Sequence, residues 1–404
     1  MSLSKLNLEP SMTFLSLFSG CGGFDLGFKA AGFRCIKAFD VNPDAVETYN
    51  VNSEANCSEL DLSKWSEKLD QYVGKADIII AGPPCQGFSV AGKRKLNDPR
   101  NHLLVRTAEI AIRLKPSIIV IENVMAARSG KHKKFWNKAS ANLAQNGYHI
   151  TELILDCKKL GVAQIRKRAV LIATRKTPKS SIELKEGAAL TLKDVLLGLP
   201  NDNSHRPQLI EKGTKTYKIV SEISSGQKLS NVRNGPNTIH TWDIPSVFGS
   251  TTEIEKEILL VILKLRRTLK TRKLGDADPV SAASLALHMR KPIAQLLKPL
   301  IKKGFIRKVG SRYDLTNTFN GKFRRLRWDQ PSYTVDTRFG VPRYFIHPDE
   351  NRAFTVREAA RIQGFPDSFI FPEDSGIAFL LIGNAVPPPV AEKLAREIKK
   401  TFFT

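Results

Sequence analysis

The stretch "TFLSLFSGCGGFDLGFKAAGFRCIKAFD", residues 13–40, decides the fold. An apolar run ends in Gly20, Gly22 and Gly23, an amphipathic helical segment follows, and a second apolar run closes on Asp40. Strand, glycine turn, helix and strand in that order make the first unit of an open α/β sheet. Glycines let the backbone turn sharply and approach a ligand closely, and an acid at the tip of the second strand can accept hydrogen bonds from both hydroxyls of a ribose. The spacing is G-x-G-G rather than the dinucleotide pattern G-x-G-x-x-G, which favours a nucleoside ligand over NAD. A purely structural turn is the plainer alternative.

Outward from this unit, short apolar runs alternate with helical segments: "ADIIIAG" (76–82), "SIIVIE" (117–122), "HITELILD" (149–156) and "AVLIATR" (169–175), with a helix over 103–114. Near-continuous Ile/Val runs read as buried strands of a parallel sheet with helices on both faces. From about 176 the texture changes to Lys, Pro, Ser, Asn and Gly, which marks a boundary. The reading is a Rossmann-like α/β domain over 1–178 completed by 374–404, a smaller domain over 179–345, and a bridging segment over 346–373.

Inside the smaller domain, Ile254, Ile258, Val261, Ile262, Leu265 and Leu269 follow helical spacing, and Thr252 with Glu255 forms a capping box. Residues 279–315 then read as two short helices, "FIRKV", a Gly310-Ser311 turn and "RYDL". Over 254–315 the order resembles a winged helix, although Pro299 counts against a smooth second helix at about 3 kcal/mol. A helical spacer touching only phosphate is the bland alternative.

The 404 residues carry a formal net charge of +24. Residues 251–330 hold 19 Lys and Arg against 7 Asp and Glu, so +12 of that charge falls in 80 residues. A polyanionic partner follows, because each neutralised phosphate releases condensed counterions. The longest apolar run, "ILLVIL" at 258–263, is far short of the ~20 residues that span a bilayer, and no signal-peptide pattern opens the chain. We expect no membrane association and a cytoplasmic, nucleoid-associated protein. Five cysteines, at 21, 35, 57, 85 and 157, form no C-x-x-C pair, so neither a disulfide framework nor a metal site is expected.

Chemistry concentrates elsewhere. "GPPCQGFS" (82–89) sets Cys85 behind two prolines at the carboxyl end of a strand, where open α/β sheets bind ligands, and Lys93, Arg94 and Lys95 follow. A thiolate there is a candidate nucleophile, while a small buried hydrophobe is the default. Glu122 ends the next strand, where a carboxyl in an apolar crevice can share a proton with a substrate nitrogen; a surface acid is the default. Gln164, Arg166 and Arg168 lie in "GVAQIRKR", the two arginines at period 2, able to clamp a carbonyl oxygen or an anion. Asp61, at the expected end of a third strand, is a further polar candidate.

Taken together, "FSGCGG", "GPPCQGFS", "ENV", "Q-x-R-x-R", "REAARIQGFPDSF" and "GNAVPPPV" stand in a set and order that resembles the DNA (cytosine-5) methyltransferases of the prokaryotic modification type. The resemblance covers roughly 13–175 and 321–395. It leaves out about 180–320, the variable target-recognition region of that family. It implies that Cys85 attacks C6 of a flipped-out cytosine and that Glu122 engages N3 and the exocyclic amine. Arg166 and Arg168 would between them hold O2 and the adjoining backbone. The implied methyl donor is S-adenosylmethionine, without metal. Phe18, Gly20, Gly22 and Gly23 would surround it, with Asp40 on the ribose, and Asp61 and Leu62 at the adenine. Pro83, Leu103, Asn384, Ala385 and Val386 would complete the pocket. The closing helix must then fold back beside the first strand, and 89–101 would be a lid over the base.

The resemblance further implies a monomer acting on double-stranded DNA, with a cognate restriction endonuclease acting on the same site. A related branch methylates transfer RNA with the same residues, and a DNA-binding regulator without turnover is a rival of another class. The basic module favours duplex DNA over transfer RNA, and the intact set of Cys85, Glu122 and both arginines argues against a silent protein.

Overall fold

A computed structural model describes residues 12–84, 98–199, 204–272, 275 and 277–403. Its strands are β1 (Thr13–Leu17), β2 (Arg34–Asp40), β3 (Cys57–Glu59), β4 (Ile78–Ala81), β5 (Ile118–Val124), β6 (His149–Asp156), the short β7 (Gln164–Ile165) and β8 (Lys167–Thr174). All but β7 join one seven-stranded sheet in the order β3-β2-β1-β4-β5-β8-β6. The chain runs outward from β1 to β3 and then returns to β4 on the other side of β1. That reversal opens a crevice at the carboxyl ends of β1 and β4.

The expected strands are present, but the sheet is mixed rather than parallel, because β8 runs antiparallel to both β5 and β6. Only residues 157–166 link β6 to β8. A parallel crossover needs a dozen residues or more, usually with a helix, so the chain can only turn back.

Both faces are covered. On one, α3 (Leu103–Leu114) and α4 (Lys133–Gln145) bury Leu104, Ala108, Ala111, Trp136 and Leu143 against Leu15, Ile79, Ile119 and Leu171. On the other, α1 (Gly23–Ala30) sets Phe24 and Phe28 against Phe14, and the closing helix Pro388–Phe402 adds Val390, Leu394 and Ile398. The C-terminal helix thus folds back beside β1. α2 (Pro43–Val51) contributes the buried Tyr49 to the same cluster.

Gly27 fixes how closely α1 meets the closing helix. A Cβ there would stand 2.5 Å from Glu392 N and 2.6 Å from Pro388 O, both backbone atoms. Alanine in an exposed helix gains about 1 kcal/mol over glycine, whereas overpacking costs about 1–3 kcal/mol. Gly27→Ala is therefore expected to lower the urea midpoint despite its better helix propensity. A raised midpoint would show that the two helices part freely.

Two compact units divide the chain. The first comprises the described parts of Met1–His205, Asp329–Arg338 and Val356–Thr404, and the second Arg206–Trp328 with Phe339–Thr355. These bounds differ from a first domain of 1–178 completed by 374–404. Residues after 178 stay with the sheet because Leu192 and Leu196 are buried and Arg361 donates to the carbonyls of Leu197 and Gly198 at 2.7 and 2.8 Å. Residues 329–338 return because Ser332 and Tyr333 pair in parallel with β7.

In the second unit, the helix Glu253–Thr268 begins with the expected capping box: Thr252 N donates to Glu255 Oε2 and Glu255 N to Thr252 Oγ1. It buries Ile258, Leu259, Ile262 and Leu265 against Leu285, Leu297, Leu300, Ile306 and Leu315. Leu269 lies past the helix end and is exposed. Helices Ala282–Met289 and Ala294–Lys302 and strands Ile306–Val309 and Arg312–Leu315 follow, and Pro299 is accommodated within the second of these helices. Its missing N–H would have met the carbonyl of Gln295, an exposed residue whose oxygen water can satisfy.

Candidate active site

The crevice contains a cavity of about 360 Å³, within the ordinary range for a small-ligand site. Loops at the carboxyl ends of four strands line it, at 18–21 after β1, 40–42 at the end of β2, 60–63 after β3 and 82–84 after β4, together with residues of the 381–386 segment. The first needs an unusual backbone, with Phe18 at φ 53° and Gly20 at φ 56°. A side chain on Gly20 would meet nothing within 4 Å, so glycine is required there by conformation rather than by space. Asp40 ties the first two loops together, accepting from Gly20 N at 2.8 Å and from Asn42 N at 2.9 Å.

Of the residues expected around a nucleoside, Phe18, Gly20, Asp40, Asp61, Leu62, Pro83, Leu103, Asn384, Ala385 and Val386 all line this cavity. Gly22 and Gly23 do not. At Gly22 a Cβ would sit 2.9 Å from the Tyr49 ring, and at Gly23 2.5 Å from Val386 O. Both are glycines of close packing, which seat the loop on α2 and on the 384–386 turn. Hydrogen bonds from Ser63 N and Oγ, each 2.8 Å, hold the Asp61 carboxyl below the usual carboxylate range. Val41, Asn42, Leu60 and Leu381 also line the cavity and were not foreseen, though each adjoins or nearly adjoins an expected residue or a strand end.

Glu122 reaches the same cavity from β5, buried to 9% exposure. Arg168, on the adjacent β8, sets its Nε 2.8 Å from Glu122 Oε1. Burial pushes the Glu122 carboxyl above the ordinary glutamate range, and the Arg168 and Arg166 guanidinium groups pull it partly back. The next residue, Asn123, donates from Nδ2 to Pro83 O at 3.1 Å and so ties the end of β5 to the proline turn. Cys85 and the first part of the expected lid, through residue 97, lie outside the described residues.

The two arginines part ways. Arg166 is 2% exposed and donates to Val335 O at 3.2 Å, Ala385 O at 2.9 Å and Gly383 O at 3.4 Å. Gln164 and Gln363, both fully buried, bond to one another; Val335 N donates to Gln164 Oε1, and Gln363 Nε2 donates to Ala385 O at 2.7 Å. Arg166 thus holds the wall that Asn384–Val386 presents, while Arg168 faces Glu122. Gln363 had a readable signal: it stands seven residues after Val356, on the apolar face of its helix, where a polar side chain needs a buried partner.

The four described cysteines are all buried. Burial pushes the thiols of Cys21 and Cys35 up to about 12, and those of Cys57 and Cys157 up to about 11. None is a thiolate near neutral pH. Among the described residues no group of His, Cys, Asp and Glu could hold a metal ion, and no helix is long and apolar enough to cross a membrane.

A family model described as C-5 cytosine-specific DNA methylase matches residues 12–400. Type II methyltransferase M.AgeI of Thalassovita gelatinovora is 31% identical over 96% of this chain and 99% of the relative. Type II methyltransferase M.NgoBV of Neisseria gonorrhoeae is 29% identical over 96% and 99%. Among solved structures, the S. pombe Dnmt2 methyltransferase is similar in fold, with a TM-score of 0.56 at 17% identity, covering 96% of this chain and 98% of that one.

Proposed function

The chain belongs to the C-5 cytosine-specific DNA methylases, and from that premise we propose how its residues divide the work of a sequence-specific DNA (cytosine-5) methyltransferase. The observation that carries the assignment is the meeting of Asp40, Pro83, Pro84, Glu122 and Arg168 around one cavity at the carboxyl edge of the sheet.

S-adenosylmethionine supplies an electrophilic methyl group, and the cavity suits its nucleoside. An acid stands at the tip of β2, apolar side chains of Leu60 and Leu62 flank Asp61, and Phe18 adds an aromatic wall. We assign Asp40 to the ribose, Asp61 and Leu62 to the adenine, and Asn384–Val386, braced by Arg166, to the opposite wall.

For the cytosine, the Cys85 thiolate adds to C6, and negative charge spreads into the ring toward N3. Glu122 delivers a proton to N3 as that charge develops, which makes C5 the nucleophile that takes the methyl group. With S-adenosylhomocysteine left as the other product, loss of the C5 proton to water, expulsion of the thiolate and return of the N3 proton to Glu122 restore the ring and the acid. Arg168 keeps Glu122 aimed and offers its remaining N–H groups to O2. Neither C5 nor C6 is accessible in a stacked duplex, so the base is flipped out at a cost of a few kcal/mol. Arg166 is a positioning residue in this scheme, since its guanidinium is spent on backbone carbonyls.

We infer, too, a cytoplasmic monomer whose target site a partner nuclease cleaves, as the type II names of its relatives suggest. The test is to incubate the purified protein with S-adenosylmethionine and unmethylated genomic DNA and to map 5-methylcytosine at base resolution. Methylation confined to one short motif is expected. Methyl transfer to transfer RNA instead, with duplex DNA untouched, would overturn the substrate assignment.

A further inference from the structure

We infer that Val280–Leu315 is a winged helix that reads bases, with the helix Ala294–Lys302 in the major groove and the hairpin 306–315 on the backbone. The inference rests on duplex DNA being the substrate. Behind the helix Glu253–Thr268, the segment runs strand, helix, helix, strand, strand. The third strand lies in the middle of its sheet, with Val280 opposite Tyr313 and Ile306 opposite Leu315. That order and pairing define a winged helix, in which the second helix of the pair is the one presented to a groove.

The presented face has the right chemistry. Leu297 and Leu300 turn inward with Ile293. Opposite them, at i, i+3 and i+7, stand Gln295, Lys298 and Lys302, all exposed. Glutamine can donate and accept on the edge of an adenine, and lysine can donate to guanine O6 and N7. Residues 280–315 contain eight Lys and Arg against one acid, Asp314, a balance of 8 − 1 = +7. That acid is engaged within the unit, 2.5 Å from Arg266 and 3.1 Å from Arg307, and Lys303 is held by Glu255 at 2.7 Å. Lys298, Lys302, Lys308 and Arg312 make no ion pair among the described residues. The hairpin that carries the last two turns at Gly310, φ 59°, and both residues are exposed on it. A polyanion with readable base edges is the ligand that such a face fits.

The experiment uses the full chain with S-adenosylmethionine on a duplex library randomised around the methylated motif, with 5-methylcytosine read at base resolution. Gln295→Ala with Lys298→Ala should lower discrimination at one or two base pairs of the motif by about 10- to 100-fold. The target cytosine should still be methylated. Lys298→Gln, which keeps helix propensity and a polar tip while removing the charge, should lower it at one of those positions. Lys308→Ala with Arg312→Ala should weaken binding to all sequences alike and reduce the slope of log affinity against log salt by about 2. An unchanged site preference in the Gln295 and Lys298 variants, with or without uniform loss of affinity, overturns base reading by this helix. A wild-type protein that methylates no duplex would instead defeat the substrate assignment, and the wild-type arm alone reveals it.

Discussion

Replacing Cys85 with alanine is expected to stop methyl transfer, with turnover down by at least about 10⁴-fold, while duplex DNA is still bound. Addition to C6 needs a sulfur or a comparably strong nucleophile, because nothing else makes C5 of cytosine reactive toward a methyl donor. No second thiol can stand in. Cys21, Cys35, Cys57 and Cys157 are buried, with their thiols pushed up to about 11 or 12, so each is protonated at working pH, including Cys21 at the cavity wall. Affinity for DNA, in contrast, comes mainly from phosphate contacts and survives the loss of one sulfur. Single-turnover methylation with radiolabelled donor, paired with a gel shift at fixed salt, checks both halves. Turnover within tenfold of wild type would place the nucleophile elsewhere.

What was legible in the sequence follows from where the physical signal is local. Buried strands read clearly at Ile78–Ala81 and over 118–121 because a strand covered on both faces runs apolar position after position. The hairpin around Gly310 and the capping box at Thr252 read for the same reason, since turn and cap chemistry lies within four residues. The direction of β8 did not, because it depends on the length of the link from β6 rather than on any residue of β8. Glycine is ambiguous in kind: Gly20 answers a need for positive φ at the cavity, while Gly22 and Gly23 answer close approaches to Tyr49 and Val386, and all three look alike on paper. Arg166 and Arg168 stand two apart in one strand pattern, yet their partners come from positions 335, 383 and 385 in one case and 122 in the other. No pattern of nearby residues encodes that choice. The return of 329–338 to the first unit rests on a two-residue strand pairing, too short to carry a period.

Glu122→Gln should lower turnover by about 10²- to 10⁴-fold and, more tellingly, change the shape of the pH profile. Glutamine is the informative replacement because its amide oxygen can still accept from Arg168. Alanine would leave that cation buried without its carboxylate, at a cost of about 3–5 kcal/mol. The sign of the pH effect follows from the direction of the shift. Burial raises the Glu122 carboxyl above its ordinary range, so a larger fraction is protonated at neutral pH than for an exposed glutamate, and that fraction falls as pH rises. The reactive form of Cys85 is the thiolate, whose fraction grows with pH. The wild-type rate depends on the product of the two: it climbs at low pH, flattens between the two pKa values, and descends once the thiol is fully ionised and only the acid continues to be lost. In the glutamine variant the acid drops out of that product. Its residual rate should climb with the thiolate and then level off, with no descending limb. Single-turnover rates from pH 5.5 to 9.5, taken at saturating donor, separate the cases. A descending limb that persists in the variant would assign the proton to another group and leave Glu122 as a hydrogen-bonding anchor for the exocyclic amine.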